Sequence, residues 1–470
     1  MKKIVFVIAS LINWILLLSQ TVIPAGDVSG NWLINDSPYL IEGEIIIPNG
    51  ETLIIDPGVI VEFQGHYKFN VQGKLIAIGN QQDLIKFTVS DTTGYYNNSH
   101  TGWHGLRFNN TPATNDSSKV KYCQFEFGKA IGDFQIDNFG GALFVLGFNK
   151  ISLSNCMFTN NYAAERGGGI YSSSNLFTYN LIISENNAVY WGGGIYIGSS
   201  FSLSNSLITN NWANHGGGIS CYGNDLDLVN LTISNNFAED SGGGIFSNAY
   251  YTDITNLICW NNYPEQIRGA RGPAQATGFL TIEYSCIEGG VYDLELSGMM
   301  LYWLDGNLDE NPLFHENGDY PYSLSFESPC IDVGTFDIAG FNLPEFDLAG
   351  NQRIYGDEID MGAYEWQGTG AENNELPITN FLLKNYPNPF NPSTTIEFSI
   401  QNIFNVEITI FNTKGQIIKT LIHNEFAKGN YSVIWNGNDE FEKPVSSGIY
   451  YYKLNINGKT KAVRKCLLLK

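Results

Sequence analysis

The sequence has few basic residues, no closely paired cysteines and only one long apolar run. Its 25 lysines and arginines stand against 47 aspartates and glutamates, which gives a formal net charge of −22. A surface of this sign repels nucleic acid and anionic lipid, so we expect neither as a partner. The seven cysteines are widely spread and include no C-x-x-C pair, which argues against a zinc site or a dense disulfide framework. We expect these thiols to pack as small buried hydrophobic groups, and we predict no metal and no cofactor.

The one long apolar run lies at the N-terminus. Lys2 and Lys3 precede the apolar stretch 4–18, which is shorter than a membrane-spanning helix needs. Small residues follow, so we predict a signal peptide over residues 1–25, with cleavage near Ala25. An uncleaved N-terminal anchor is the alternative. No later stretch predicts a transmembrane helix, and we expect the mature chain to carry none.

The sequence is rich in glycine and asparagine, and both recur at a fixed spacing. The asparagine column, Asn161, Asn186, Asn211, Asn236 and Asn262, advances in three steps of 25 residues and one of 26. Three glycines and an isoleucine recur between these asparagines, at 167–170, 192–195, 216–219 and 242–245. A period near 25 without a helical pattern predicts one turn of a parallel β-solenoid per repeat. The Leu-x-x-Leu-x-Leu frame of a leucine-rich repeat is missing, and a propeller blade needs about 40 residues.

Stacking of such turns gives the repeated residues a structural role. Residues one period apart lie about 4.8 Å apart in a parallel sheet, so the asparagine amides are expected to hydrogen-bond along their column. Asparagine also tolerates the left-handed backbone that a tight corner needs. The glycines are expected where the chain enters a strand from a sharp corner without room for Cβ.

The repeats resemble the Gly-Gly-(Ala/Leu/Ile) plus Phe-x-x-Asn repeats of polymorphic outer-membrane proteins. Upstream, residues 44–59, 71–79 and 103–108 resemble the entry coils of right-handed β-helices such as the pectate lyases. The resemblance implies an all-β fold, a right-handed parallel β-helix, which we assign to residues 26–300. It is specific for the fold and says little about activity.

Residues 301–366 break the repeat pattern. Ser328-Pro-Cys-Ile-Asp332 and Asp360-Met-Gly-Ala-Tyr364 resemble the choice-of-anchor module that closes many secreted β-helices ahead of a C-terminal anchor. The resemblance implies that this segment closes the solenoid.

Asp305, Asn307 and Asp309 match the beginning of a calcium-binding loop. The glycine that such a loop needs at its sixth position is missing, and the module pattern accounts for these residues without an ion. We therefore assign no metal to them.

The C-terminal region begins with a polar linker, residues 367–377, followed by alternating strands over 378–470. Residues 385–392 (Asn-Tyr-Pro-Asn-Pro-Phe-Asn-Pro), 447–450 (Ser-Gly-Ile-Tyr) and the basic and apolar tail 459–470 resemble the type A sorting domain of type IX secretion, an Ig-like β-sandwich. The resemblance implies export across the outer membrane, the type IX secretion machinery as a partner, and an extracellular or outer cell-surface location. An Ig-like domain without sorting function is the alternative.

Candidate binding residues flank the repeated asparagines and glycines. If these side chains face outward, stacking gathers them into one aromatic and polar stripe, whose rings could bind sugar rings and whose carboxylates and amides could bind hydroxyl groups. Alternatively, the aromatic rings stack on one another and cover the edge of a turn. The predicted glycan stripe comprises Tyr162, Glu165, Arg166, Tyr190, Trp191, Trp212, Asn214, His215 and Asp240.

We predict no catalytic residues. Glycosidases need two or three clustered carboxylates, and lyases need a strong base. The acids noted in the repeat core, Glu165, Glu185, Glu239 and Asp240, share no column, and no nucleophile–base pair indicates acyl transfer. We therefore expect a non-enzymatic glycan-binding or adhesion solenoid whose partner is a polysaccharide or a surface glycan. A polysaccharide lyase or glycoside hydrolase is the first alternative, and a structural surface spacer is the second.

Overall fold

The computed structural model describes residues 20–95, 101–148, 150–335, 343–355, 358–368, 383–400, 404–412, 416–427, 429–456 and 459–469. In this part of the chain, helical structure is limited to three short 3-10 turns, Ile34–Asp36, Gln135–Asn138 and Gly290–Asp293. None of its helices is long and apolar enough to cross a membrane. The chain divides into two compact units, Met1–Phe314 with Tyr322–Thr369, and His315–Pro321 with Gly370–Lys470.

The first unit is a parallel β-solenoid with three sheets. A long sheet contains 18 strands, a glycine-side sheet contains 11, and a short sheet contains five. The long sheet comprises Thr21–Ile23, Gly30–Trp32, Tyr39–Ile41, Thr52–Ile55, Ile60–Phe63, Lys74–Ile78, Ile85–Val89, Ser118–Lys121, Cys123–Glu126, Ile151–Thr159, Leu176–Ser184, Phe201–Thr209, Asp225–Ser234, Tyr251–Thr255, Ile258–Trp260, Gly278–Glu283, Cys286–Ile287 and Met299–Trp303. The glycine-side sheet comprises Gly26–Asp27, Ile45–Ile47, Phe69–Val71, Leu106–Asn109, Leu143–Leu146, Ile170–Ser173, Ile195–Ile197, Ile219–Cys221, Ile245–Ser247, Ile267–Ala270 and Leu294–Ser297. The short sheet comprises Lys129–Ala130, Tyr162–Ala163, Asn187–Ala188, Trp212–His215 and Phe237–Ser241.

The strand register follows the sequence period. Phe158 pairs with Ile183, Ile183 with Ile208, and Ile208 with Ile233, and all four side chains are fully buried. Alternation of inward apolar and outward polar residues along each strand hides the apolar side only when coils stack. The parallel solenoid predicted from the repeat is confirmed.

The corner after each long-sheet strand is built from two neighbouring residues with different roles. The left-handed residue is the first of the two, as at Asn160 and Asn210, where φ is 57° and 56°. The second residue belongs to the predicted asparagine column and is buried, as at Asn161 and Asn211. The column therefore serves hydrogen bonding, and the left-handed backbone that the sequence attributed to it lies one residue earlier.

The glycine triplet forms the corner before each strand of the glycine-side sheet, where side chains would be strained or would clash. Gly192 has a φ of +66°, which favours glycine because other residues are strained there. A Cβ on Gly193 would lie 2.4 Å from the carbonyl oxygen of Gly217 in the next coil. The second glycine thus permits the close approach of stacked coils.

The first coil begins earlier than the predicted signal-peptide boundary. Thr21–Ile23 pairs with Tyr39–Ile41, and the Thr21 hydroxyl donates to the Asp36 carbonyl over 2.9 Å. Cleavage after Ala25 would remove this strand from the solenoid. A leader that ends before Thr21 would leave it intact, and the signal peptide itself remains a prediction.

A second asparagine ladder, not predicted from the sequence, runs along the middle of the long sheet. Its residues are left-handed, with φ between 49° and 55°, and they are Asn155, Asn180, Asn205, Asn230 and Asn256. The Asn180 amide donates to Asn155 Oδ1 over 2.9 Å, and the Asn205 amide donates to Asn180 Oδ1 over 2.7 Å. This outer ladder is the surface against which the following segment packs.

Residues 322–335, 343–355 and 358–368 lie along the flank of the solenoid. Ala363 donates its N–H to Thr232 Oγ1 over 3.0 Å, and Gly362 donates its N–H to the Asn256 carbonyl over 2.8 Å. The sequence predicted a module over 301–366 that closes the helix, whereas these contacts are with the outer face of the long sheet.

The boundary of that module also differs, because the last long-sheet strand, Met299–Trp303, continues past residue 300. Its resemblance to the choice-of-anchor family remains a prediction.

The second unit is antiparallel. One sheet contains Leu383–Tyr386, Thr394–Ile400 and Gly429–Trp435, and the other contains Ile417–Phe426, Phe404–Asn412, Gly448–Ile456 and Lys459–Leu468, in that order. Phe398, Ile408, Trp435 and Leu454 are among the side chains of its buried core. These sheets are consistent with the predicted β-sandwich. Most of the predicted linker, from residue 369 on, lies outside the described residues.

Candidate functional site

The predicted glycan stripe is divided between two columns of the solenoid. Tyr162 and Trp212 occupy one column on the short sheet, where Asn187 lies between them in register. Arg166, Trp191 and His215 form a second column, at the corner that leads into the glycine-side sheet. The stripe residues therefore stack at the repeat spacing but lie in two columns, and glycan binding by them stays a prediction.

The side chains of the corner column pack against neighbouring aromatic rings. The Trp191 ring stacks on His215 with centroids 4.1 Å apart, and the edges of Tyr222 and Phe246 meet it at 4.9 and 5.1 Å. The Arg166 guanidinium lies 5.1 Å from the ring centroid of Tyr196. A sugar ring would have to displace these contacts to reach the Trp191 face.

An aromatic ladder on the glycine-side sheet continues this packing. Phe144, Tyr171 and Tyr196 stack with centroid separations of 5.2 Å, and at most 8% of any of them is exposed. Tyr171 and Tyr196 follow the first strand residue after a glycine triplet, and Phe144 follows it after Gly140-Gly141-Ala142, a periodic signal that could have revealed the ladder. These rings stack on one another and cover the glycine-side sheet.

The polar members of the predicted stripe are scattered around these rings. Glu165 accepts hydrogen bonds from Gln135 and Asn138 at 3.3 and 3.5 Å. Tyr190 is half exposed. The Asn214 amide, oriented to satisfy both of its ends, donates to the Val189 carbonyl over 2.9 Å.

His215 lies between two potential catalytic partners, but the site lacks an essential component. Its Nδ1 is 3.0 Å from Ser241 Oγ, and its Nε2 is 3.6 Å from the exposed carboxylate of Asp240. Burial lowers the pKa of His215, and Asp240 opposes that shift. Acyl transfer also needs N–H groups aimed at an oxyanion. The N–H groups of Gly216 and Gly217 already donate to carbonyls of the next coil at 3.0 and 3.1 Å.

A separate groove lies on the outer face of the long sheet. We call it the aspartate groove, and its volume is about 390 Å³. Phe177 stands at one end with 77% of its surface exposed, and Tyr251 stands at the other end with 44% exposed. Small and acidic side chains form the floor between the two rings. The full lining is Asn175, Leu176, Phe177, Ser200, Phe201, Ser202, Asp225, Asp227, Tyr251 and Asp253.

The floor of the aspartate groove brings carboxylates together. Asp227 pairs in register with Asp253 on the adjacent strand, and the Ser200 hydroxyl donates to Asp225 Oδ2 over 2.8 Å. Burial and the nearby Asp253 and Asp225 raise the pKa of Asp227 to about 6. The sequence analysis considered four other acids of the repeat and missed Asp227 and Asp253, which do share a column. Asp227 and Asp253 are 26 residues apart, a repeat spacing that could have revealed the pair.

The two rings of the groove differ from those of the aromatic ladder in their exposure, because Phe177 and Tyr251 are 77% and 44% exposed. Tyr251 stacks on Phe279 at 5.5 Å and makes an edge contact with Tyr250. Phe177 has no ring partner in the part of the chain that the structure describes, so a flat ligand can reach it without disrupting a stack.

Side chains of the Asp305–Asp309 segment hydrogen-bond to nearby backbone groups. Asn307 Oδ1 accepts the Ser285 N–H over 3.0 Å, and Asp309 Oδ1 accepts the Gly289 N–H over 2.8 Å. Among the described residues, no group of three or more His, Cys, Asp or Glu side chains has a geometry suited to a metal ion.

Comparison with known families identifies two regions. Residues 384–468 match the family described as the secretion system C-terminal sorting domain. Residues 155–173 and 230–248 match the Chlamydia polymorphic membrane protein repeat. No curated protein matches the chain.

Two solved structures resemble part of the chain. One is dimeric latent PorU from Porphyromonas gingivalis, with 15% identity and a TM-score of 0.18, covering 20% of this chain and 10% of that chain. The other is PorZ, described as an essential surface component of the type-IX secretion system of Porphyromonas gingivalis, with 20% identity and a TM-score of 0.15. That match covers 19% of this chain and 11% of PorZ, so the chain spans about a tenth of each structure.

The family matches confirm both resemblances on which they bear. The C-terminal unit is a sorting domain of the type IX secretion system, which makes the secretion machinery one partner of this chain. The protein is accordingly exported to the cell surface or the extracellular space.

Proposed function

We propose that the exported solenoid binds a neutral or amino-bearing glycan in the aspartate groove without altering it chemically. The observation that carries this proposal is the pair of exposed rings, Phe177 and Tyr251, which line the same groove as two serines and three aspartates. Aromatic faces pack against the apolar faces of sugar rings. Carboxylates accept hydrogen bonds from sugar hydroxyls, and serine hydroxyls both donate and accept them.

The dimensions of the groove favour an oligosaccharide over a single sugar. Phe177 and Tyr251 lie on strands separated by three strand spacings, which is about 14 Å. A chain of sugars running along the solenoid axis would contact one ring, cross the polar floor and reach the other ring.

The negative charge of the groove limits which glycans it can bind. Asp225, Asp227 and Asp253 line the floor, and the whole chain carries a formal charge of −22. This field repels uronic acids and sulfated sugars, and it favours neutral or amino sugars. The pectin-like substrates of related solenoid enzymes are therefore poor candidates.

Hydrolysis is the second candidate function, because Asp227 and Asp253 form a carboxylate pair. Adjacent strands hold them about 4.8 Å apart at the backbone, close to the carboxyl separation of about 5–5.5 Å in retaining glycosidases. The pKa of about 6 for Asp227 would let it keep a proton for a leaving group in mildly acidic medium.

A glycan array on the exported protein, run beside a reducing-sugar assay, tests both functions. We expect binding of neutral or amino-bearing oligosaccharides without release of reducing ends. Phe177→Ala and Tyr251→Ala should each weaken binding at least tenfold, because each removes one ring platform. Trp191→Ala with Trp212→Ala is the matched control and should leave binding unchanged.

Three outcomes would overturn the proposal. Loss of binding only in the Trp191→Ala, Trp212→Ala variant would restore the predicted stripe as the site. Turnover that disappears in Asp227→Asn would establish the hydrolase. A folded protein that binds no glycan on the array would favour the structural spacer.

A further inference from the structure

Cys286 and Cys330 come from different parts of the first unit and meet in one small apolar cluster. Cys286 lies on a long-sheet strand near the C-terminal end of the solenoid, and Cys330 lies on the flanking segment. Both are fully buried, and they share the cluster with Ile258, Leu324 and Met361. Both are free thiols in the structure, and the Cys286 thiol donates to the Glu310 carbonyl over 3.0 Å at the edge of this shared cluster.

We infer that Cys286 and Cys330 form a disulfide in the exported protein, which fastens the flanking segment to the solenoid. Export carries the chain out of the reducing cytoplasm, and disulfides persist in such oxidising compartments. The two S–H bonds are replaced by one S–S bond. The two electrons and two protons pass to a thiol–disulfide oxidoreductase in its disulfide form, which is reduced to a dithiol.

The pair Cys123 and Cys156 shows why proximity alone does not allow two cysteines to form a disulfide. They lie on adjacent parallel strands, one residue before the paired Gln124 and Met157, and both are buried. The ladder holds such side chains about 4.8 Å apart, whereas a disulfide needs a Cβ–Cβ separation of about 3.5–4.5 Å. Cys330 lies in a turn segment outside any strand, so its backbone is free of that constraint.

The bond would close a loop across the last coils of the solenoid. The two cysteines are 44 residues apart in the sequence, and the loop includes the terminal strand Met299–Trp303. Constraining this loop would oppose fraying of the end coils and release of the flanking segment.

Thiol counting on protein collected from the cell surface or medium without reductant tests the inference. After denaturation with an alkylating agent, we expect five modified cysteines out of seven, and all seven after reduction. A glutamate-specific protease cuts between the two positions, for example after Glu295 and Glu310, so the expected product is one linked pair of peptides.

Two variants make the outcome specific. Cys330→Ala should show six free thiols and no linked peptides, whereas Cys123→Ala should show four free thiols and keep the linked pair. Reductant should lower the melting temperature of the wild-type protein and leave that of Cys330→Ala unchanged. Seven free thiols in the exported wild-type protein, or a linked pair other than Cys286 and Cys330, would overturn the inference.

Discussion

Asn211 Oδ1 accepts two hydrogen bonds from Asn186, one from its backbone N–H over 3.0 Å and one from its side-chain Nδ2 over 2.9 Å. Asn211 makes the same two contacts to Asn236, which makes them in turn to Asn262. A single oxygen thus satisfies two buried donors at each of these corners, and the column links the consecutive coils from Asn161 to Asn262. The coils are held together by this polar column as well as by their apolar interior.

Replacing Asn211 with alanine should therefore destabilise the solenoid strongly. The substitution leaves two buried donors of Asn186 and the Oδ1 acceptor of Asn236 with fewer partners, at a cost of about 2–4 kcal/mol. Urea unfolding followed by circular dichroism measures the change.

The adjacent Asn210 provides the control. It is exposed and left-handed, with a φ of 56°, so Asn210→Gly should change the unfolding free energy by less than about 0.5 kcal/mol. Equal losses in Asn211→Ala and Asn210→Gly would contradict the division of roles between the two corner positions.

The repeat predicts much of the structure of the first unit, because the same contacts recur between neighbouring coils at a fixed sequence spacing. One step of 25 residues determines which side chains stack, and the paired Phe158, Ile183 and Ile208 follow it. The sorting domain was likewise recognisable from its own motifs. Neither periodicity nor motif, however, specifies which rings are enclosed by other rings, as Trp191 is, and which stay exposed, as Phe177 does.

Contacts between distant, non-repeating segments could not be predicted from the sequence. Arg353 reaches Asn205 across 148 residues of sequence, and this contact depends on the shapes and charges of two folded surfaces. The aspartate groove could be predicted only in part from the sequence. Its paired Asp227 and Asp253 obey the repeat spacing, but only the strand register shows that they share a face.

Arg353 should be the main anchor of the flanking segment. Its guanidinium is buried and donates to Asn205 Oδ1 over 3.0 Å and to the Gly362 carbonyl over 2.8 Å. Arg353→Met would remove the cation that faces three buried carboxyl groups, at a cost of about 3–5 kcal/mol. Hydrogen exchange at the amides of Gly362 and Ala363 should accelerate accordingly.

The matched control is Arg268→Met on the solenoid surface. Arg268 forms an ion pair with Glu295, whose side chain is 65% exposed, so its loss should cost less than about 1 kcal/mol. Unchanged exchange at Gly362 and Ala363 in Arg353→Met would show that apolar contacts alone hold the segment.

Docking of the flanking segment should weaken as the pH rises. Burial, followed by the neighbouring Asp360, raises the pKa of Glu365 from 4.5 to about 8, and burial raises that of Asp360 to about 6. Three carboxyl groups, with Asp347, surround the single Arg353 cation, so the folded state retains protons that the unfolded chain releases. Stability should be fully present below about pH 4.5 and decline up to about pH 8.

The loss should reach a few kcal/mol, because each unit of pKa difference corresponds to about 1.4 kcal/mol. Thermal unfolding between pH 5 and pH 8 measures it. Glu365→Gln should flatten the pH dependence, whereas Glu358→Gln, an exposed neighbour, should preserve it. A steeper decline in Glu365→Gln than in the wild-type protein would refute this assignment.

The terminal strand should carry the export signal. Lys459–Leu468 forms the edge of the four-stranded sheet and pairs with Gly448–Ile456, with Cys466 and Leu468 in the core. Deletion of residues 460–470 should leave the protein in the periplasm, because the sorting domain loses its last strand. Fractionation and immunoblotting of cells and medium detect the change.

The deletion of residues 460–470 also removes core side chains, so its effect on export could come from misfolding. A variant that changes only surface charge tests recognition by the secretion machinery separately. Arg464 and Lys465 are exposed on this strand, so Arg464→Glu with Lys465→Glu preserves the buried Cys466 and Leu468. We expect periplasmic retention of this variant with an unchanged melting temperature if, as we predict, the machinery contacts the exposed side of the strand. Lys443→Glu, which reverses one charge rather than two at another exposed position of the domain, should be exported normally. Normal export of the deletion would show that sorting does not depend on this strand, and retention of Lys443→Glu would point to overall charge as the determinant.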